Sequence, residues 1–154
     1  MELDVSEWLN VTEPPRLADL RGRVVMVVAF QMHCQGCIVT ALPQAQRVHD
    51  AFKPEEVTVL GLHCVFENHA AADPDQLRRF VAEQRLTFPI AIDTPTEGHP
   101  VPQTMRAWQL GGTPTIVLFD HAGRLRLRRL GHAEDLRLGA MLGQLLTERG
   151  PRPA

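Results

Sequence analysis

Two cysteines separated by two residues, in the run Cys34-Gln35-Gly36-Cys37, carry the plainest chemistry of this chain. An apolar, β-rich run, Val24–Phe30, precedes them, and behind them Ile38, Leu42, Ala45, Val48 and Phe52 recur at helical spacing. The pair therefore stands at the first turn of a helix, where unpaired backbone N–H groups and the helix dipole favour an anion. A thiolate is such an anion. Cys34, at the exposed edge, is expected to ionise readily and act as nucleophile, and Cys37, one turn on, to resolve a mixed disulfide. The competing reading is a pair of structural thiols or half of a zinc site; the strand before and the helix after favour the redox pair.

Composition sets the bounds. The 154 residues, 44% hydrophobic and 22% charged, suit one globular domain, residues 1–154, with a sizeable core. A formal net charge of -2 gives no general attraction to nucleic acid or to an anionic membrane, so neither is expected as a partner. Three cysteines are too few for a secreted disulfide scaffold. The N-terminus, MELDVSEWLN, lacks a basic stretch followed by an apolar one, and no apolar run reaches the length of a membrane span. The chain as written is expected to be cytoplasmic.

The elements that must position the cysteines follow from periodicity and punctuation. Residues 1–16 read as an irregular covering segment interrupted by Pro14-Pro15, with Trp8 as a packing anchor, and Leu17 and Leu20 mark a short helical turn. A loop at 53–56 leads into a mostly apolar strand over 57–65, the pattern of a sheet buried on both faces. Asp73 reads as an N-cap with Pro74 at N1 of a helix running to Arg85. A strand over 88–92, a loop over 93–102, a short helix over 102–109 and a strand over 116–119 follow. A turn at 120–123, a strand over 125–130 and a helix over 133–149, stopping at Gly150-Pro151, close the chain. Alternating strands and helices with a final hairpin argue for an α/β sandwich around a mixed sheet.

Three features together resemble the thioredoxin fold: Cys34-Gln35-Gly36-Cys37 after a buried strand, Gly112-Thr113-Pro114 before a later strand, and the hairpin from Asp120 to Arg124. The extra strand and helix over 57–85 resemble the central insertion of TlpA/ResA-type thiol-disulfide oxidoreductases, a fold shared with redoxin and AhpC/TSA-like domains. The resemblance implies a three-layer sandwich with a central mixed sheet flanked by helices. It implies that Pro114 is a cis-proline beside the two cysteines, exposing the backbone of Thr113 to an extended substrate. It places Glu67 near the dithiol, to tune the thiols and to take a proton from Cys37. The implied partners are a protein or small-molecule disulfide and an upstream dithiol reductant, with no bound cofactor.

The match has departures. His33 stands where the family carries Trp before the first cysteine, and is expected to stabilise the Cys34 thiolate. Val28 stands where thioredoxins keep a buried acid. Pro43 lies six residues after Cys37, one more than is usual for the kink proline of this helix, so a local bulge is expected. In the family's sheet order Cys64 ends the strand beside the one leading to Cys34, which makes it either a third redox thiol or a small buried hydrophobe.

Other chemistries compete. His33, Cys34, Cys37, His63 and Cys64 together invite copper(I) or zinc. Against that, His63 and Cys64 are adjacent on a strand and point to opposite faces, so no metal is expected. A peroxiredoxin-like thiol peroxidase shares the fold, yet the residues leading to Cys34 lack the Pro-x-x-x-Thr-x-x-Cys setting of that chemistry. A redox-sensing module without turnover would have no need of Cys37. The sequence thus points to a thioredoxin-like oxidoreductase working through Cys34 and Cys37, and leaves its direction, reductant or oxidant, open.

Overall fold

Every side chain of Val24–Phe30 is buried, which requires cover on both faces of the strand. The computed structural model describes residues 1–148 and shows how that cover is built. Six strands form one sheet: Val5–Leu9 (β1), Val24–Phe30 (β2), Val57–His63 (β3), Ile90–Asp93 (β4), Thr115–Phe119 (β5) and Leu125–Leu130 (β6). Their order is β1-β4-β3-β2-β5-β6, with β2, β3 and β4 mutually parallel and the three remaining pairings antiparallel. The sheet is mixed, as expected.

Alternate β2 side chains serve the two faces. Val24, Met26, Val28 and Phe30 pack with residues of Leu42–Ala51 (α1), Pro74–Glu83 (α2) and Asp135–Thr147 (α4). Val25, Val27 and Ala29 face a thinner layer made by the 3-10 turn Leu17–Leu20 and the short helix Gln103–Ala107 (α3), with Met105 and Trp108 filling it. Full burial of side chains such as Phe30 contributes about 1.5–3 kcal/mol each, so β2 is the strand whose loss the fold could least survive. No described helix is long and apolar enough to cross a membrane.

The N-terminal segment departs from expectation. Residues 1–16 are not irregular throughout: β1 pairs with β4 on the edge of the sheet. Its register shifts between Val5 and Glu7, and Leu9 alone of its residues is buried. A bulge in a half-exposed edge strand erases the period-two pattern by which strands are read from sequence. The strand expected over 57–65 stops at His63, and the helix expected to reach Arg85 stops at Glu83. The helix stop expected at Gly150-Pro151 lies outside the described residues.

Local chemistry explains the element ends. Asp73 accepts the Gln76 N–H at 2.8 Å while the Gln76 side chain accepts the Asp73 N–H at 3.0 Å, a reciprocal cap with Pro74 behind it, worth about 1 kcal/mol. In the β5–β6 hairpin, Asp120 accepts the N–H groups of Ala122 and Arg124, both at 3.0 Å, around Gly123 at φ +76°. Burial pushes the Asp120 carboxyl up, but these N–H groups and the charge of Arg124 outweigh it and hold it below the usual carboxylate range.

Candidate active site

Register brings the site together. Ala29 pairs with Thr115 in the antiparallel β2–β5 ladder, so the residues leaving β2 meet those entering β5. The first are Gln31 to Cys37, and the second are Gly112, Thr113 and Pro114. The Thr113-Pro114 peptide is cis, as the resemblance implied. A Cβ at Gly36 would stand 3.3 Å from Pro114 Cδ, so glycine at that position lets the cysteine turn pack directly against the proline ring.

The cysteine turn is tightly held. The Cys34 N–H donates to the Gln31 carbonyl at 3.1 Å, and the Ile38 N–H donates to the Cys34 carbonyl at 3.0 Å. From Cys37–Ala41 the helix is wound as a π-turn, with the Leu42 N–H donating to the Cys37 carbonyl, before α1 begins with Pro43 in its first turn. This is the bulge that the late proline predicted: the wider turn absorbs the extra residue.

Cys34 is half-buried and Cys37 is fully buried; both are unpaired thiols. The Cys37 backbone N–H donates to Cys34 Sγ at 3.2 Å, and Cys34 Sγ donates to the Thr113 carbonyl at 3.6 Å. An N–H aimed at sulfur favours the anion, so the donor at the helix start is in place for a Cys34 thiolate. Burial, followed by the neighbouring Cys34 sulfur, pushes the Cys37 thiol up to about 12, against the opposing pull of the Gln31 backbone and the Thr113 side chain. The two thiols of one motif are placed unequally: Cys34 carries a hydrogen-bond donor at the half-exposed edge, and Cys37 holds its proton in the core.

Of the other residues singled out from the sequence, His33 is exposed at the turn and lies close enough to His63 for its charge to depress that ring. Glu67 is exposed beyond the end of β3 and is not among the partners of Cys34 or Cys37. Cys64 follows β3 beside the end of β2, with its N–H on the Phe30 carbonyl at 2.9 Å, but its side chain packs in the opposite layer from Cys37. Its Sγ donates to Asp93 Oδ2 at 3.7 Å. Burial and then the Asp93 charge push that thiol well above its ordinary value. Among the described residues, no group of three or more His, Cys, Asp or Glu is placed to hold a metal ion.

Two further buried groups lie at the ends of β4 and β3, on one side of β2: Asp93, which sequence reasoning missed, and His63, which it weighed only as a metal ligand. Asp93, at the end of β4, is 3% exposed, and its carboxylate accepts the N–H groups of Thr104 at 2.7 Å and Met105 at 2.8 Å. It caps α3 from another element, and burial pushes its carboxyl up despite those bonds. The only sequence signal was an acid closing the apolar run before Thr94-Pro95. His63 is 1% exposed, and its Nε2 accepts the Met32 N–H at 3.3 Å, two residues before Cys34. Burial first, and the charge of His33 second, lower that ring to about 4, so it is neutral at pH 7.

The family model described as the AhpC/TSA family matches residues 6–128. Among solved structures, a thiol-disulfide isomerase from Corynebacterium glutamicum is 46% identical with a TM-score of 0.92, the match covering 96% of this chain and 95% of that one. The thioredoxin-like superfamily protein SPOA0173 is 44% identical with a TM-score of 0.94, over 98% and 97% of the two chains. A curated relative, the chloroplastic Protein SUPPRESSOR OF QUENCHING 1 of Arabidopsis thaliana, is 25% identical over 136 residues, 84% of this chain. The chain spans 12% of that protein's length.

Proposed function

We propose that this protein, which belongs to the AhpC/TSA family and shares the thioredoxin-like fold, exchanges disulfides through Cys34 and Cys37. The observation that carries the reading is the unequal placement of the two thiols: a half-buried Cys34 with the Cys37 N–H on its sulfur, and a buried Cys37 that keeps its proton. Likeness to a chain described as a thiol-disulfide isomerase supports it.

In the reductive direction, the Cys34 thiolate attacks one sulfur of a substrate disulfide. A Cys34–substrate S–S bond forms, the substrate S–S bond breaks, and the first substrate thiolate leaves and is protonated. Cys37 then loses its proton and attacks Cys34 Sγ, expelling the second substrate thiolate and leaving a Cys34–Cys37 disulfide. Two electrons pass to the substrate, and an external dithiol restores the enzyme. Cys37 is the costly deprotonation, because its thiol is pushed so far up. Thr113 offers backbone groups to an extended substrate, with its carbonyl already engaged by Cys34. His33, exposed at the turn, is placed to act on the charge there.

The test is capture. A Cys37→Ser protein offered a disulfide-bonded protein should accumulate a mixed disulfide at Cys34, and Cys34→Ser should accumulate none. Turnover that persists in Cys34→Ser would overturn the reading. Peroxide consumption with sulfenic acid at Cys34, and no dependence on Cys37, would put the thiol-peroxidase alternative in its place.

A further inference from the structure

The parallel ladder between β2 and β3 ends with the Cys64 N–H on the Phe30 carbonyl at 2.9 Å. In a regular parallel ladder the next bond would join the Met32 N–H to the Cys64 carbonyl. The chain turns towards the cysteine helix instead, which leaves Met32 buried with an N–H that needs another acceptor. A side chain takes the place of that carbonyl: His63 Nε2 accepts the Met32 N–H at 3.3 Å.

A second side-chain bond crosses in the other direction. The Phe66 N–H donates to Gln31 Oε1 at 3.3 Å, and the Gln31 carbonyl in turn accepts the Cys34 N–H at 3.1 Å. Residues 31–34 are thus tied to residues 63–66 by side chains where the ladder has stopped. The His63 ring is itself held in place, buried and tilted against the Phe30 ring with centroids 5.2 Å apart. Burial first, and the charge of His33 second, keep the ring neutral at pH 7, so an acceptor nitrogen is present for Met32.

We infer that His63 is a positioning residue for the dithiol, holding Cys34 in its reactive place through the Met32 N–H. This rests on the exchange proposed for Cys34 and Cys37. In the disulfide state the S–S bond by itself keeps the two cysteines together. In the dithiol state hydrogen bonds do so: Cys34 Sγ meets the Cys37 N–H and the Thr113 carbonyl while the turn is held. Loss of the hold at Met32 therefore weakens the dithiol state more than the disulfide, and Cys34 loses the donor that favours its thiolate.

Three measurements on the full-length protein test this. In the reduced, isotope-labelled protein, a nuclear spin coupling through the hydrogen bond between Met32 N and His63 Nε2 is expected. His63→Leu fills the space and removes the acceptor. Against a dithiothreitol redox buffer it should favour the disulfide about fivefold, the worth of one hydrogen bond, and slow iodoacetamide alkylation of Cys34 at pH 7 by a similar factor. His63→Gln, whose amide oxygen takes the place of Nε2, should restore both to within about twofold of the unaltered protein. His63→Asn, too short to reach Met32, should match His63→Leu and stands in for it should that variant not fold. Absence of the coupling, an unchanged disulfide balance and alkylation rate in the folded loss variant, or a His63→Gln protein as impaired as that variant would each overturn the assignment. An unaltered protein in which Cys34 and Cys37 form no reversible disulfide would strike the exchange reading instead, and the coupling and the alkylation rates would still decide whether His63 positions Cys34.

Discussion

Cys34 and Cys64 lie at the ends of neighbouring strands, and their surroundings make them different chemical groups. Cys34 leaves β2 into a turn that keeps it half-exposed, with a backbone N–H on its sulfur and a helix ahead of it. Cys64 leaves β3 into the opposite layer, fully buried, with its sulfur against a carboxylate. A donor invites a thiolate; an acceptor with a negative charge keeps the proton in place. Reactivity of a cysteine is set by what faces its sulfur, and two residues of one type within one sheet can be a nucleophile and a packing group.

The sharpest way to break this contrast is to exchange the roles. Cys34→Ser should reduce disulfide exchange on the order of 10³-fold or more, whereas Cys64→Ser should leave it within about twofold, as measured by turnover of a disulfide-bonded protein. In a redox titration with alkylation and peptide mass analysis, Cys34 and Cys37 should form the reversible disulfide while Cys64 stays a thiol. Pairing of Cys34 with Cys64 would erase the distinction.

His63 joins the two regions, since it holds the turn through Met32 and precedes Cys64. Its ring falls from an unfolded value of 6.5 to about 4 in the folded protein. Above pH 6.5 both states are neutral and stability is full. As pH falls from 6.5 towards 4 the unfolded chain gains a proton that the folded one refuses, so stability falls by about 3 kcal/mol over that window. Urea unfolding across pH 4–7 should show this slope, and His63→Gln, which keeps an acceptor for Met32, should remove its His63 share. An unchanged slope in that variant would mean another group is responsible.

Cys64→Ala tests the packing reading more gently. Loss of the sulfur and its bond to Asp93 should cost about 1–2 kcal/mol in chemical denaturation without altering the potential of the Cys34–Cys37 pair. A shifted potential would give Cys64 a redox role. The smallest effect serves as the control: Asp73→Ala removes the reciprocal cap of α2 and should cost about 1 kcal/mol while leaving the alkylation order of the thiols unchanged.

Much of this was legible in the residues. The apolar run into Cys34, the helical spacing after it and the resemblance carried by Gly112-Thr113-Pro114 were enough to bring Cys34, Cys37, Thr113 and Pro114 to one place, and the late Pro43 even announced the π-turn. These signals are local: strand, turn and helix patterns span a few residues and need no partner to be recognised. Other features escaped for equally physical reasons. β1 hid behind a bulge on an exposed edge, and the position of Glu67 depended on where a loop turns after β3.

By itself, then, the sequence determined the dithiol, its helix and the alternation of elements that makes the sandwich, because each is written in short-range periodicity. Only the tertiary structure decided which carboxylate meets which thiol and which histidine holds the turn. Asp93 and Cys64 are far apart along the chain and come together through the β3–β4 pairing, and His63 reaches Met32 through the parallel register of β2 with β3. The protonation of these groups follows from burial and from neighbours supplied by other strands, and neither exists until the sheet has formed.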